Sequence, residues 1–292
     1  MEEKKLTGYP SIDKPWLKYY KPNAANEPSP NGSIYDYLYE NNKGRLEAKA
    51  INYFGRKLSY RTLFAEIEKA AKAFQAIGVK PGDVVTLVML TCVPAVACLY
   101  GLNRIGAVSN FVNVLASEDE LAKYIQDGNS RIVVALDLFG SKVLTAAKKA
   151  GAEKVVFCSL TEFMPKPAKI GFMIKTVKMD RTFLKDSMSI RWKSFLEMGL
   201  GVEINEHECP DDICFYGHTG GTTGFPKTVL LQNKSFNVIA SNYLQYFDHQ
   251  VGDPLLGTIP IFVTFGFLIG THIPLCLGMQ AVLLPKLTKM DG

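Results

Sequence analysis

A chain of 292 residues that is 47% hydrophobic and 21% charged can build one large or two modest domains around a real core, which excludes a disordered or fibrous polypeptide. Its 33 basic and 28 acidic side chains leave a net charge of +5, enough to tolerate an anionic small ligand and well short of a nucleic-acid footprint. Six scattered cysteines, with no CxxC pair and no matching His spacing, point to neither a zinc site nor a disulfide framework and fit a reducing, cytoplasmic setting.

The start, "MEEKKLTGYP", lacks the apolar run of a secretory leader. A polar arm over residues 1–32 precedes helical spacing in "SIYDYLYE" and a short strand in "AINYF". In "SYRTLFAEIEKAAKAFQAIGVKPGD" the apolar residues Leu63, Phe64, Ile67, Ala71, Phe74 and Ile77 recur at helical spacing, with Ser59 as cap and Gly78 as stop. Next come the strand "DVVTLVML", the helix "PAVACLYGLNRIG", the strand "AVSNFVN" and the helix "SEDELAKYIQDG". The strand "RIVVAL", the helix "GSKVLTAAKKAG" and the strand "KVVFC" complete the series. Short β-branched runs alternating with helical patterns predict an α/β fold with a mainly parallel sheet layered by helices. Residues 33–205 are therefore expected to form a first α/β subdomain, and residues 206–292 a phosphate-loop hairpin with the start of a second.

Residues 161–200 break the rhythm. Between positions 166 and 193, Lys166, Lys169, Lys175, Lys178, Arg181, Lys185, Arg191 and Lys193 face only Asp180 and Asp186, interleaved with Phe172, Met173, Ile174, Phe183 and Trp192. Such a segment reads either as a solvated surface excursion or as a basic, amphipathic contact with an anionic membrane. From Pro254 to Pro285 there is no Asp, Glu, Lys or Arg, a length that could span a bilayer. Pro260, Pro274 and four glycines interrupt it, so the expectation is a buried strand, helix, strand unit over "LLGTIP", "TFGFLIGTHIPLCLG" and "QAVLLP". A sheet edge is expected after that last strand.

The densest local signal is "GHTGGTTGFPKT", residues 217–228. It lies between the strand "DDICFYG" and the extended "KTVLLQN", ahead of the helical "NKSFNVIASNYLQYF". Glycines let backbone N–H groups converge on an anion, Thr219, Thr222 and Thr223 add hydroxyl donors, and Lys227 adds a full charge. An oligophosphate is the natural guest. A Walker A loop would require glycine where Pro226 stands and should open onto a helix, neither of which holds here. A plain turn-rich hairpin is the alternative. His218, His249 and His272 have no Ser, Cys or Asp in a nucleophilic arrangement and are read as hydrogen-bonded structure.

"TGGTTGFPKT" resembles the phosphate-binding signature of the adenylate-forming enzymes, which include acyl-CoA synthetases, luciferases and peptide-synthetase adenylation domains. Thr219, Gly221, Thr222, Thr223, Gly224, Pro226 and Lys227 match it, Gly220 is an allowed variant, and Thr228 replaces the usual final glycine. "LSYRTLFAEIEKAAKAFQAIGVKPGDVVTLVML", with Gly78, Gly82 and Asp83, and "PAVACLYGLNRIGAVSNFVN" are similar to upstream family segments. "GTIPIFVTFGFLIGTHIPLCLGMQAVLLPKL" is similar to the region that shapes the acyl pocket, and the wording there is most like fatty acyl-CoA synthetases.

The resemblance implies the N-terminal part of the adenylate-forming fold. It also implies ATP-dependent activation of a carboxylic acid through an acyl-adenylate, with Mg²⁺ on the phosphates and coenzyme A as the acceptor. Thr219, Gly220, Gly221, Thr222, Thr223 and Gly224 would embrace the β- and γ-phosphates, with Lys227 offsetting the departing pyrophosphate. Phe262, Val263, Phe265 and Phe267 would line the acyl pocket, Val263 standing where the family commonly carries His or an aromatic. The family's Mg²⁺-binding Glu, ribose-binding Asp, hinge and catalytic Lys are not found in these residues, so the resemblance implies an N-terminal portion with weak or no turnover by itself. A non-catalytic acyl- or nucleotide-binding module, and a domain loading a carrier thiol, remain open alternatives.

Overall fold

A computed structural model describes residues 6–20, 30–207, 209, 211–220, 226–246 and 248–285. In chain order the elements are α1 (Pro10–Asp13), α2 (Ile34–Asn42), β1 (Lys49–Tyr53), β2 (Arg56–Ser59), α3 (Tyr60–Ala76) and β3 (Val84–Val88). Then follow α4 (Val93–Arg104), β4 (Val108–Phe111), α5 (Glu118–Asp127), β5 (Ile132–Leu136), α6 (Gly140–Ala150) and β6 (Lys154–Cys158). The remainder comprises α7 (Lys166–Lys175), β7 (Ser189–Arg191), α8 (Trp192–Met198), β8 (Ile213–Thr219), β9 (Lys227–Gln232), α9 (Asn233–Tyr246), β10 (Pro254–Gly257), α10 (Thr264–Phe267), α11 (Ile273–Cys276) and β11 (Gln280–Leu283).

Capping sets several of these boundaries. Ser33 and Asp36 form a reciprocal capping box at α2, and Ser117 and Glu120 form another at α5. The Ser59 hydroxyl accepts from Thr62 N–H at the start of α3, and Gly78, at φ +88°, turns the chain away at its end. The predicted stripe of α3 is buried, including Leu63, Phe64, Ile67, Ala71 and Phe74. It meets α4 at Gly101, where a Cβ would stand 3.0 Å from the backbone nitrogen of Ala71, so only glycine allows this approach.

One sheet of seven strands has the order β7-β6-β5-β3-β4-β8-β9, parallel except for the antiparallel pair β8/β9. Strands β4 and β5 are buried at every residue, which requires cover on both faces. Helices α3, α4 and α8 pack together, as do α5 and α6. A second sheet has the order β10-β11-β1-β2.

Sheet membership cuts across the expected boundary near residue 205. Strand β1 pairs in parallel with β11, so residues 49–59 join the second sheet, whereas the β8/β9 hairpin completes the first. Strand β11 is flanked on both sides, and the edges of this sheet fall at β10 and β2. The expected edge after "QAVLLP" is thus filled by a strand from the start of the chain. Strand β2 escaped the sequence reading because its hairpin places Phe54 and Gly55 at φ +53° and +85°, and Phe is not a residue that signals positive φ. The excursion at 161–200 also continues the α/β alternation, with α7 leading to β7 at the sheet edge. The three residues of β7 are too few to show a period.

The uncharged stretch folds as the expected strand, helix, strand unit, with a π-helical turn over Leu268–His272 between α10 and α11. Pro274 has no N–H to continue an α ladder, and the widened turn just before it absorbs that break. No helix among the described residues is long and apolar enough to cross a membrane. All six cysteines are free thiols.

Candidate functional site

Parallel pairing of β3, β4 and β8 brings their C-terminal ends to one edge of the large sheet, the edge where open α/β sheets bind ligands. Strand β9 returns antiparallel to β8 with Gly217 opposite Val229, His218 opposite Thr228 and Thr219 opposite Lys227. The end of β8 and the start of β9 therefore lie at that edge. The connection between them joins strand to strand, as the sequence predicts. Thr219 and Lys227 face each other across its mouth, both exposed, with the Thr219 hydroxyl donating to the Lys227 carbonyl at 3.4 Å. Among the described residues Lys227 has no carboxylate within ion-pair distance. A Cβ at Gly220 would meet nothing within 4 Å. Gly221, Thr222, Thr223 and Gly224 lie outside the described residues.

Below the mouth, β8 is held by a polar chain. His218 donates from Nε2 to Asn110 Oδ1 at 2.7 Å, Asn110 Nδ2 donates to the Thr86 hydroxyl at 3.0 Å, and Thr86 donates to Ser130 Oγ at 2.8 Å. That tautomer leaves Nδ1 of His218 to accept from the Thr228 hydroxyl at 3.3 Å. The ring also lies 4.4 Å, centre to centre, from Tyr124. Burial pushes the His218 imidazole down to about 4, against the opposing pull of Asp127, so it is neutral at pH 7. The residue departing from the family signature, Thr228, thus has a partner on the neighbouring strand.

The segment expected to shape the acyl pocket abuts this hairpin. A Cβ at Gly217 would stand 2.6 Å from the Thr264 hydroxyl oxygen, so glycine is what lets the start of α10 sit against β8. The Ile261 N–H donates to the Thr91 hydroxyl at 2.9 Å, tying the segment to the chain just beyond β3. At Gly266 a Cβ would stand 2.2 Å from the carbonyl oxygen of Pro260, so the turn closes on itself only with glycine. Phe262 is half-buried, while Val263 and Phe265 are exposed. Phe267 is different: fully buried, it stacks on Phe215 with ring centres 5.5 Å apart and meets Phe236 edge-on at 5.0 Å. Of the four residues expected at the pocket, Phe267 belongs to the aromatic core and the other three reach the surface beside the hairpin.

His272 lies deep in that core, where the Tyr100 hydroxyl and Nδ1 are 2.9 Å apart, and burial pushes its imidazole down to about 3. His249 lies in the loop before β10. An open cleft of about 610 Å³ elsewhere is lined by Tyr35, Tyr39, Arg104 and Glu206 among others and shares no residue with the hairpin. Its Arg104 is already committed to Glu206 and to the face of Tyr35. Asn110, Thr91 and Thr264 were invisible as site residues in the sequence, since each acts through a partner far along the chain, and Gly266 because the close approach it permits to Pro260 is seen only in the folded turn. The repeated glycines at 217 and 266 were the available hint.

Comparison with known proteins gives the following. The profile of the AMP-binding enzymes, described as "AMP-binding enzyme", matches residues 38–292. A long-chain-fatty-acid–CoA ligase of Bacillus subtilis (strain 168) is 25% identical over 286 residues, covering 95% of this chain and 51% of that protein. An acetyl-coenzyme A synthetase of Shewanella pealeana is 30% identical over 231 residues, 75% of this chain and 34% of that one. The chain thus spans about half the length of the long-chain relative. Among solved structures, an anthranilate CoA ligase in complex with anthranoyl-AMP superposes with a TM-score of 0.70 at 19% identity, over 91% of this chain and 47% of that one. A benzoate CoA ligase from Burkholderia xenovorans LB400 gives 0.70 at 18%, over 87% and 45%. The fold is that of these ligases, and with the profile covering most of its length the chain belongs to the family of AMP-binding enzymes.

Proposed function

We propose that this chain carries the triphosphate grip of an ATP-dependent ligase that converts a carboxylic acid, here a fatty acid, to its acyl-adenylate and then to a coenzyme A thioester. The observation that carries this reading is the mouth of the β8/β9 hairpin: Thr219 and Lys227, both exposed, face each other at the C-terminal edge of the sheet, against the apolar segment that starts α10, and among the described residues no carboxylate pairs with Lys227. Both reacting partners are anions, so a cation and oriented donors at this point oppose their repulsion and stabilise the charge that develops on pyrophosphate. Residues 220–224 supply the amides and hydroxyls of the grip in this reading, and Lys227 supplies the charge. Mg²⁺ would arrive on the phosphate oxygens and neutralise part of their charge. The fatty-acid reading is supported by the likeness to the B. subtilis ligase over 95% of the chain and by Phe262, Val263 and Phe265 standing beside the hairpin.

Titration of Mg-ATP into the protein and its Lys227→Ala variant tests the grip. Loss of one charge-assisted contact corresponds to about 1.5–3 kcal/mol, or roughly tenfold to a hundredfold weaker binding, with the melting temperature unchanged because the side chain is exposed. Equal affinity would overturn the assignment of the hairpin. Acid-dependent pyrophosphate exchange by this protein, compared for fatty, acetic and aromatic acids, tests the choice of substrate. Exchange supported by acetate or an aromatic acid and not by fatty acids would overturn that part alone.

A further inference from the structure

We propose that α7 is a docking surface for an anionic membrane. Ile170, Met173, Ile174 and Val177 are spaced i, i+3, i+4 and i+7, so they form one stripe along α7 and the turn that follows it. That stripe faces outward: the four side chains are between 53% and 75% exposed. The opposite side anchors the helix, with Phe172 packed on the core and Thr176 buried, its hydroxyl turned back to the Phe172 carbonyl of the same helix. A helix that is fixed on one side and apolar on its free side has an unmatched face.

The charges around the stripe decide what covers it. Lys166 and Lys169 stand at its N-terminal end and Lys175 and Lys178 at the other, all exposed, and no acidic residue falls between positions 163 and 179. Of the flanking acids, Glu162 is half-buried and Asp180 already accepts from the backbone and hydroxyl of Thr182. Apolar side chains at the centre of a ring of long cationic ones match a bilayer interface, where the aliphatic groups enter the acyl region and the lysine amines reach back to lipid phosphates. A protein partner for such a face would need an apolar groove rimmed with carboxylates, whereas an anionic leaflet presents both features at every point. This surface is distinct from the hairpin, and the inference stands whatever acid the site takes.

Co-sedimentation of the full chain with phosphatidylcholine vesicles, with and without a minority of phosphatidylglycerol, tests the proposal. Binding is expected to the anionic vesicles, at least tenfold weaker to the neutral ones, and to fall as salt rises. Lys169→Gln with Lys175→Gln should lower partitioning roughly thirty-fold at low ionic strength. Ile170→Asp with Ile174→Asp should abolish it. All four positions are exposed, so the melting temperature and far-ultraviolet circular dichroism of each variant should match the parent. Equal sedimentation of parent and variants would overturn the proposal. So would an absence of binding to either vesicle, or a concentration-dependent dimer in vesicle-free buffer that Ile174→Asp dissolves, which would assign the stripe to a second copy of the chain.

Discussion

Gly217 and Thr264 meet at a distance that leaves no room for a methyl group. Gly217→Ala should therefore destabilise the protein by about 1–3 kcal/mol through overpacking. Adding Thr264→Ala removes the opposing hydroxyl and should recover most of that loss, read as a coupling energy in a double-mutant cycle by thermal or denaturant melting. Additive losses would show that the contact is not what makes glycine necessary. His218 illustrates the same dependence on a distant partner. Its sequence neighbours mark it as part of a phosphate loop, yet its side chain turns under the sheet to Asn110 and to Thr228 on the returning strand. At this scale the proposal for Thr219, Gly220 and Lys227 needs no distant partner, because glycine freedom, hydroxyl donors and charge are properties of residue types. The roles of Asn110, Thr91 and Gly266 were not legible in the sequence, because each is defined by an atom 6 to 170 positions away.

Among the elements, the run from α10 through the π-turn to α11 encloses a neutral imidazole. The folded pKa of His272, about 3, lies below the ordinary value of 6.5. The unfolded chain therefore binds more protons in that interval, and stability rises with pH across it. The contribution is present in full above about pH 6.5 and falls as the pH drops toward 3, on the order of 3 kcal/mol by about pH 4. His272→Gln keeps an acceptor for the Tyr100 hydroxyl and removes the titration, so its melting temperature should fall less steeply between pH 7 and 4. Parallel curves for parent and variant would show that carboxylates alone carry the acid sensitivity. Outside the excursion that holds α7, β7 and α8, most helices and strands were predictable to within a few residues, since apolar periodicity and caps such as Ser33, Ser59 and Ser117 are local. Strand β2 was not predicted, because its turn depends on Phe54 adopting a conformation held by the pairing of β1 with β2 and by Asn52, whose Oδ1 accepts from the Gly55 N–H at 3.0 Å.

For the whole molecule, the start of α9 is a hub. Asn233 Oδ1 accepts from the Ile34 N–H at 3.1 Å and from Asn103 Nδ2 at 2.7 Å, while its Nδ2 donates to the Cys209 carbonyl at 2.9 Å. One buried amide thus joins α2, α4 and the entry to β8. Asn233→Ala leaves buried donors unsatisfied and should cost about 2–4 kcal/mol in denaturant unfolding, and Asn233→Asp, which restores only the acceptors, should recover no more than part. A loss below about 0.5 kcal/mol, the range of ordinary surface substitutions, would remove the hub from this account. Similar ties cross between the sheets, where Tyr53 donates to the Leu160 carbonyl and Tyr60 to those of Leu275 and Met279.

Taken alone, the sequence determined the α/β class and the order of most elements, since these follow from periodicity, capping and residue type within a short window. Tertiary structure decided which strand fills which place: β1, besides its hairpin with β2, pairs with β11 rather than with the large sheet, which the β8/β9 hairpin joins instead. The physical reason is that hydrogen-bonded edges and apolar faces are satisfied by whatever segment the fold brings alongside. That choice is made by shape and contact across hundreds of positions and leaves no periodic trace in either partner.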